Sequence, residues 1–65
     1  MNSESVFVAY ENGQLVGFFR TSDLEGREDA LARASYSGAA HVAATGASEC
    51  TVSRDDVTVI VRRVK

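Results

Sequence analysis

The chain is poor in the residues that most often supply chemistry or covalent support. Among 65 residues it has one Cys, one His, one Met, no Pro and no Trp. A single cysteine excludes an intrachain disulfide. One cysteine and one histidine cannot complete a structural zinc site, which takes four ligands, usually Cys and His. No apolar run approaches the length of a membrane span. Met1-Asn2-Ser3-Glu4 carries no basic region, so it does not read as a signal peptide. A lone cysteine without such a leader points to a reducing, cytoplasmic setting. There is no P-loop, no Gly-rich dinucleotide loop, no His-Glu zinc motif and no nucleophile elbow. The expectation is therefore a non-enzymatic protein with no catalytic residue, no cofactor and no metal.

Size sharpens the problem. Sixty-five residues make one domain. A domain this small buries only about 60% of the surface its unfolded chain exposes. Such chains often lean on disulfides, a metal or a partner. With the first two excluded, close packing or oligomerisation remains. Charge narrows the partners. Residues 1–56 set nine acids against four arginines, a balance of −5, while 57–65 hold Arg62, Arg63 and Lys65 without an acid. An acidic body disfavours a general nucleic-acid binder, which needs a broad basic surface.

What the chain does have is patterned apolar sequence. Asn12-Gly13 is the preferred pair for a two-residue type I′ turn, because both central residues need positive φ. Its flanks, about Ser5–Glu11 and Gln14–Arg20, read as a β-hairpin that is apolar on both faces. A two-residue turn pairs Tyr10 with Leu15, Val8 with Gly17 and Val6 with Phe19 on one face. It pairs Ala9 with Val16 and Phe7 with Phe18 on the other. Gly17 in mid-strand suits close approach of another backbone.

Ser22-Asp23-Leu24-Glu25 has the form of a capping box, with Glu25 reaching back to Ser22. Asp23, Glu25, Glu28 and Asp29 then lie near the positive end of a helix dipole. Gly26 interrupts this start, and the regular helix could begin near Arg27. An apolar stripe of Leu31, Ala34, Gly38 and Val42 continues to Thr45, with Gly46 as a natural C-terminal stop. One helix over about Asp23–Thr45 is expected, irregular at Gly38; the alternative ends it there and makes His41–Thr45 a short strand. Its face is mostly Ala and Gly, so it should lie close to the sheet. Glu49–Ser53 and Val57–Val64 alternate as a second hairpin around Arg54-Asp55-Asp56. The predicted fold is α+β, a single helix on a four-stranded, largely antiparallel sheet in the order β-β-α-β-β. Val57, Val59 and Val61, with Cys50 and Val52, are placed under the helix. The uncovered face is assigned Phe7, Ala9, Val16, Phe18 and Ile60.

That face is the sharpest functional hint, since monomers seldom expose a large contiguous apolar patch without a use for it. It is read as a protein interface. Aromatics on a sheet also suit RNA stacking, with Arg20, Arg62 and Arg63 as a frame, but the basic-aromatic motif of such modules is absent. His41 lacks a sequence context for a nucleophile–base pair, and Cys50 reads as a buried, inert thiol. Asp55-Asp56 reads as a turn rather than a calcium site, which needs further oxygen ligands. The acids Asp23, Glu25, Glu28 and Asp29 offer a second, acidic docking face. Arg62-Arg63-Val64-Lys65 reads as a charged strand end that discourages edge aggregation.

In its 65-residue length, acidic charge and hairpin-helix-hairpin order, the chain resembles the small phage-encoded anti-CRISPR inhibitors. The resemblance covers the whole chain in format and rests on no diagnostic motif, so it carries over no functional residue. It implies a phage protein that docks on a subunit of a CRISPR effector and blocks DNA binding or cleavage. The alternatives kept beside it are a homodimeric structural or regulatory protein and a small RNA- or DNA-binding module using Phe7 and Phe18.

Overall fold

The computed structural model describes residues 5–64. Strands β1 (Phe7–Glu11) and β2 (Gln14–Phe19) form the first hairpin. A short 3-10 turn (Thr21–Leu24) leads to helix α1 (Ala30–Thr45), and β3 (Glu49–Arg54) and β4 (Val57–Arg63) form the second hairpin. All pairings are antiparallel and the strand order is β2-β1-β4-β3. The α+β class and the β-β-α-β-β order expected from the sequence are both present. Among the described residues no helix is long and apolar enough to cross a membrane.

Local chemistry accounts for each element's ends. Asn12 and Gly13 take φ of 51° and 87°, which a type I′ turn requires. The Asn12 amide also donates to the Thr58 carbonyl at 2.9 Å, tying the turn to β4. The second hairpin closes through Asp55-Asp56, with Asp55 at φ 58° and Arg54 opposite Val57. Helix α1 runs unbroken through Gly38 to Thr45 and stops at Gly46 in the left-handed region, whose amide donates to Val42 O. The short strand at His41–Thr45 does not form.

The helix starts later than its acids suggested. Asp29 is the N-cap, and its carboxylate accepts from the Ala32 amide at 3.1 Å. Asp23, not Glu25, does the reaching back, accepting from the Arg20 amide at 2.8 Å in the 3-10 turn. Glu25 and Gly26 fall in the break, where Gly26 has φ 84°. A continuous helix from Asp23 would have needed Gly26 in its interior, at a cost of about 1 kcal/mol relative to Ala.

The core lies between α1 and one sheet face. Ala34, Ala39 and Val42 meet Phe7, Ala9, Val59 and Val61, with Cys50, Val52 and Val57 packed at its margin. The valine row therefore sits under the helix as expected. A Cβ built on Gly38 would stand 2.6 Å from Val61 Cγ2 and 2.9 Å from Val61 Cβ, so the missing side chain lets helix and sheet touch.

The face assignment of β1 is corrected. Phe7 and Ala9, placed outside from the sequence, are 2% exposed and belong to the core. The reason is non-local. Ala9 lies opposite Val61 and Glu11 opposite Val59, so β1's odd residues share the helix side with the valine row. Val8, Tyr10 and Ile60 take the other face.

The hairpin register is corrected as well. Tyr10 does face Leu15, but Val16 is an extra residue in a bulge. Ala9 then pairs with Gly17, Val8 with Phe18 and Phe7 with Phe19. The Phe7 and Phe19 rings stack at 5.7 Å. Gly17 serves the bulge and not a close approach: its φ is +151° and nothing lies within 4 Å of a built Cβ. The basic end of the chain is not an edge guard either, because β4 is an interior strand and Arg62 pairs with Glu49 on β3 at 3.2 Å.

Candidate docking surface

Helix α1 packs chiefly on β4 and β3 and barely reaches β1. It has one apolar stripe and 16 residues, enough to cover about half of a four-stranded sheet. Strand β2 is left at an edge, with the helix to one side and, among the described residues, no second layer beneath. Six consecutive residues, Gln14–Phe19, carry no charge. Leu15 is 60% exposed, Val16 48% and Phe18 66%.

The bulge distributes these side chains around the strand. Leu15 and Phe18 pair with Tyr10 and Val8, so they lie on the face away from the helix. Ile60, opposite Tyr10 on β4, continues that face inward and is half-buried. Val16 lines a groove on the helix side, and Phe18 also borders that groove. Of the five residues assigned to an interface from sequence, Phe18 and Ile60 share the open face. Val16 sits at its margin, and Phe7 and Ala9 lie beneath the helix. Leu15 and Tyr10 join the open face, and the bulge that sets their neighbours has no sequence signal stronger than Gly17.

The groove beside Val16 encloses about 160 Å³ between β2, the 3-10 turn and α1. Phe19, Leu24 and Leu31 form its walls, and Arg27 stands at its rim. Ser35, only 4% exposed, also lines it.

The four acidic residues Asp23, Glu25, Glu28 and Asp29 are all exposed, and two of them also serve local structure. Asp23 and Asp29 are engaged in the hydrogen bonds that start the 3-10 turn and the helix. Asp29 also receives the Arg27 guanidinium, at 3.0 and 3.2 Å. That guanidinium, helped by the Ala32 amide, holds the Asp29 carboxyl below its usual value. Glu25 and Glu28 are exposed in the connection between them. His41 is exposed on α1 and no hydrogen bond joins it to Ser35, Ser37 or Ser48 among the described residues. Cys50 is half-buried on edge strand β3, facing the helix side.

A second hollow, of about 300 Å³, adjoins the groove and was not legible in the sequence. Arg27, Arg33 and Arg54 line it together with Tyr36 and Ser37. The two hollows share Leu24, Arg27 and Ala32. Compared with family models, curated proteins and solved structures, the chain matches none.

Proposed function

We propose that this chain is a non-enzymatic protein-binding module that docks through β2. The observation that supports the reading is one uncharged edge strand exposing Leu15, Val16 and Phe18, left bare because the helix covers the other half of the sheet. Burying the exposed parts of Leu15 and Phe18 against a partner is worth about 2–4 kcal/mol. That is about 30- to 800-fold in affinity. The bulge at Val16 twists the edge and discourages indefinite strand-to-strand growth, so a face-on contact is the better use of the strand.

Leu15→Glu and Phe18→Glu test this. Both side chains are exposed, so circular dichroism and the melting temperature should change little. Association, with a second copy in sedimentation velocity or with another protein in pull-down, should be lost in both. Association retained by both variants refutes the assignment. The size and element order shared with anti-CRISPR inhibitors give a concrete partner class, a CRISPR effector complex. DNA cleavage by purified effectors, with and without the protein, tests that reading; uninhibited cleavage throughout removes it and leaves docking through β2 standing.

A further inference from the structure

The arginines are the unexpected feature of an acidic protein. Arg27, Arg33 and Arg54 come from the helix approach, the first turn of α1 and the end of β3, and they converge on one hollow. Arg27 is paired with Asp29. Arg33 and Arg54 are exposed and have no ion pair among the described residues. Tyr36 and Ser37 add hydroxyl donors one turn further along the same helix side. The hollow therefore presents donors and two arginines without an ion pair, and no carboxylate is among its lining residues.

Its neighbour has the opposite character. The groove beside Val16 is walled by apolar side chains, and Ser35 contributes to its lining. Its volume of about 160 Å³ is that of a cavity able to hold one benzene ring, about 150 Å³. Because the two share Leu24, Arg27 and Ala32, they adjoin across those residues, and we call the pair a trough with an apolar end and a basic end.

We propose that this trough binds an acidic peptide segment of the partner protein, with one large apolar side chain in the groove and carboxylates on Arg33, Arg54 and the outer side of Arg27. The inference rests on the protein-binding reading above and names the chemistry of the partner. Charge complementarity selects an acid, since arginine forks match carboxylates in two-point contacts. Extent selects a peptide over a single phosphate. The basic hollow, at about 300 Å³, is roughly twice the volume of the apolar groove. Its donors are strung along α1 and across to β3, so they suit a row of acceptors. The Ser35 hydroxyl, at the margin of the apolar end, can bond the backbone of the bound segment.

The test uses the full chain, labelled with nitrogen-15 at low salt, and N-acetylated, C-amidated pentapeptides. With Glu-Glu-Phe-Glu-Glu, saturable amide shifts are expected at Ala32, Arg33, Tyr36, Ser37 and Arg54. Replacing the glutamates by glutamines, or Arg33 and Arg54 together by Glu, should weaken binding at least about tenfold. Replacing Phe by Gly in the peptide should remove the shifts at Leu31 and Ser35 while leaving those at Arg33 and Arg54. Equal binding of the glutamine peptide, or no binding of the acidic one, overturns the proposal. Inorganic phosphate reproducing the same shifts with the same affinity also overturns it, by showing a small-anion site. Leu15→Glu lies on the other face and should leave peptide binding unchanged. A failed peptide titration alongside a Leu15→Glu effect on association would remove this inference and leave docking through β2 intact.

Discussion

Gly38→Ala sets helix propensity against packing, and the structure says which wins. Propensity alone favours the substitution by about 1 kcal/mol, because alanine is the better helix former. Packing opposes it. The new Cβ would lie 2.6 Å from Val61 Cγ2 and 2.9 Å from Val61 Cβ, where carbon contacts prefer about 3.5–4.0 Å. Val61 cannot easily withdraw, because it is fully buried on interior strand β4. Overpacking of this kind costs about 1–3 kcal/mol. The net expectation is a loss of about 1 kcal/mol, which lowers the melting temperature by about 4–8 °C in a domain this small. Urea titration followed by far-ultraviolet circular dichroism measures it. Val61→Ala supplies the second arm of a cycle. It removes the 2.6 Å contact and leaves the 2.9 Å one, so the penalty of Gly38→Ala should shrink in that background without vanishing. A stabilising Gly38→Ala in the parent chain, or equal effects in both backgrounds, would refute the close helix–sheet contact.

Substitutions at four further positions test other parts of the account. Phe7→Ala should cost about 3–5 kcal/mol and leave little folded protein, whereas Phe18→Ala should change stability by less than about 1 kcal/mol; denaturation of the pair checks which aromatic is core. Asp29→Ala should lower the denaturation midpoint by removing the helix cap, and Asp29→Asn should restore most of it. Because the Asp29 carboxyl is held below its usual 3.8, its charged form stabilises the fold fully above that value. The stabilisation is lost as pH falls through the lower folded-state value. Melting curves between pH 5 and the acid limit should therefore be flatter in Asp29→Asn. Gly17→Ala should destabilise by about 1–3 kcal/mol through backbone strain at φ +151° although the space around it is open; a neutral result would remove the bulge conformation.

Sequence pattern was a good guide where the deciding interactions are local. The Asn12-Gly13 turn, the valine row of β4 and the Gly46 stop each depend on residues within a few positions of one another. The small-residue face of α1 likewise announced a close approach, which Gly38 carries out. Failure came where both choices were chemically equivalent in sequence. Phe7-Val8-Ala9 is apolar on either alternation, and only pairing with β4, some fifty residues away, decides that Phe7 and Ala9 go under the helix. The Val16 bulge then rearranged the partners of β2. The basic trough was invisible for a related reason: Arg27, Arg33 and Arg54 are spread along the chain and meet only after α1 lies on β3.

The central claim is that binding takes place on β2, the strand the helix leaves bare. Hydrogen exchange of the protein alone and saturated with its partner, a second copy or another protein, measures this directly. Slower exchange across Leu15–Phe19 and neighbouring Tyr10 is the expected result, with the far edge on β3 little changed. Protection confined to β3 or to the solvent side of α1, with β2 exchanging as in the free protein, would contradict the account.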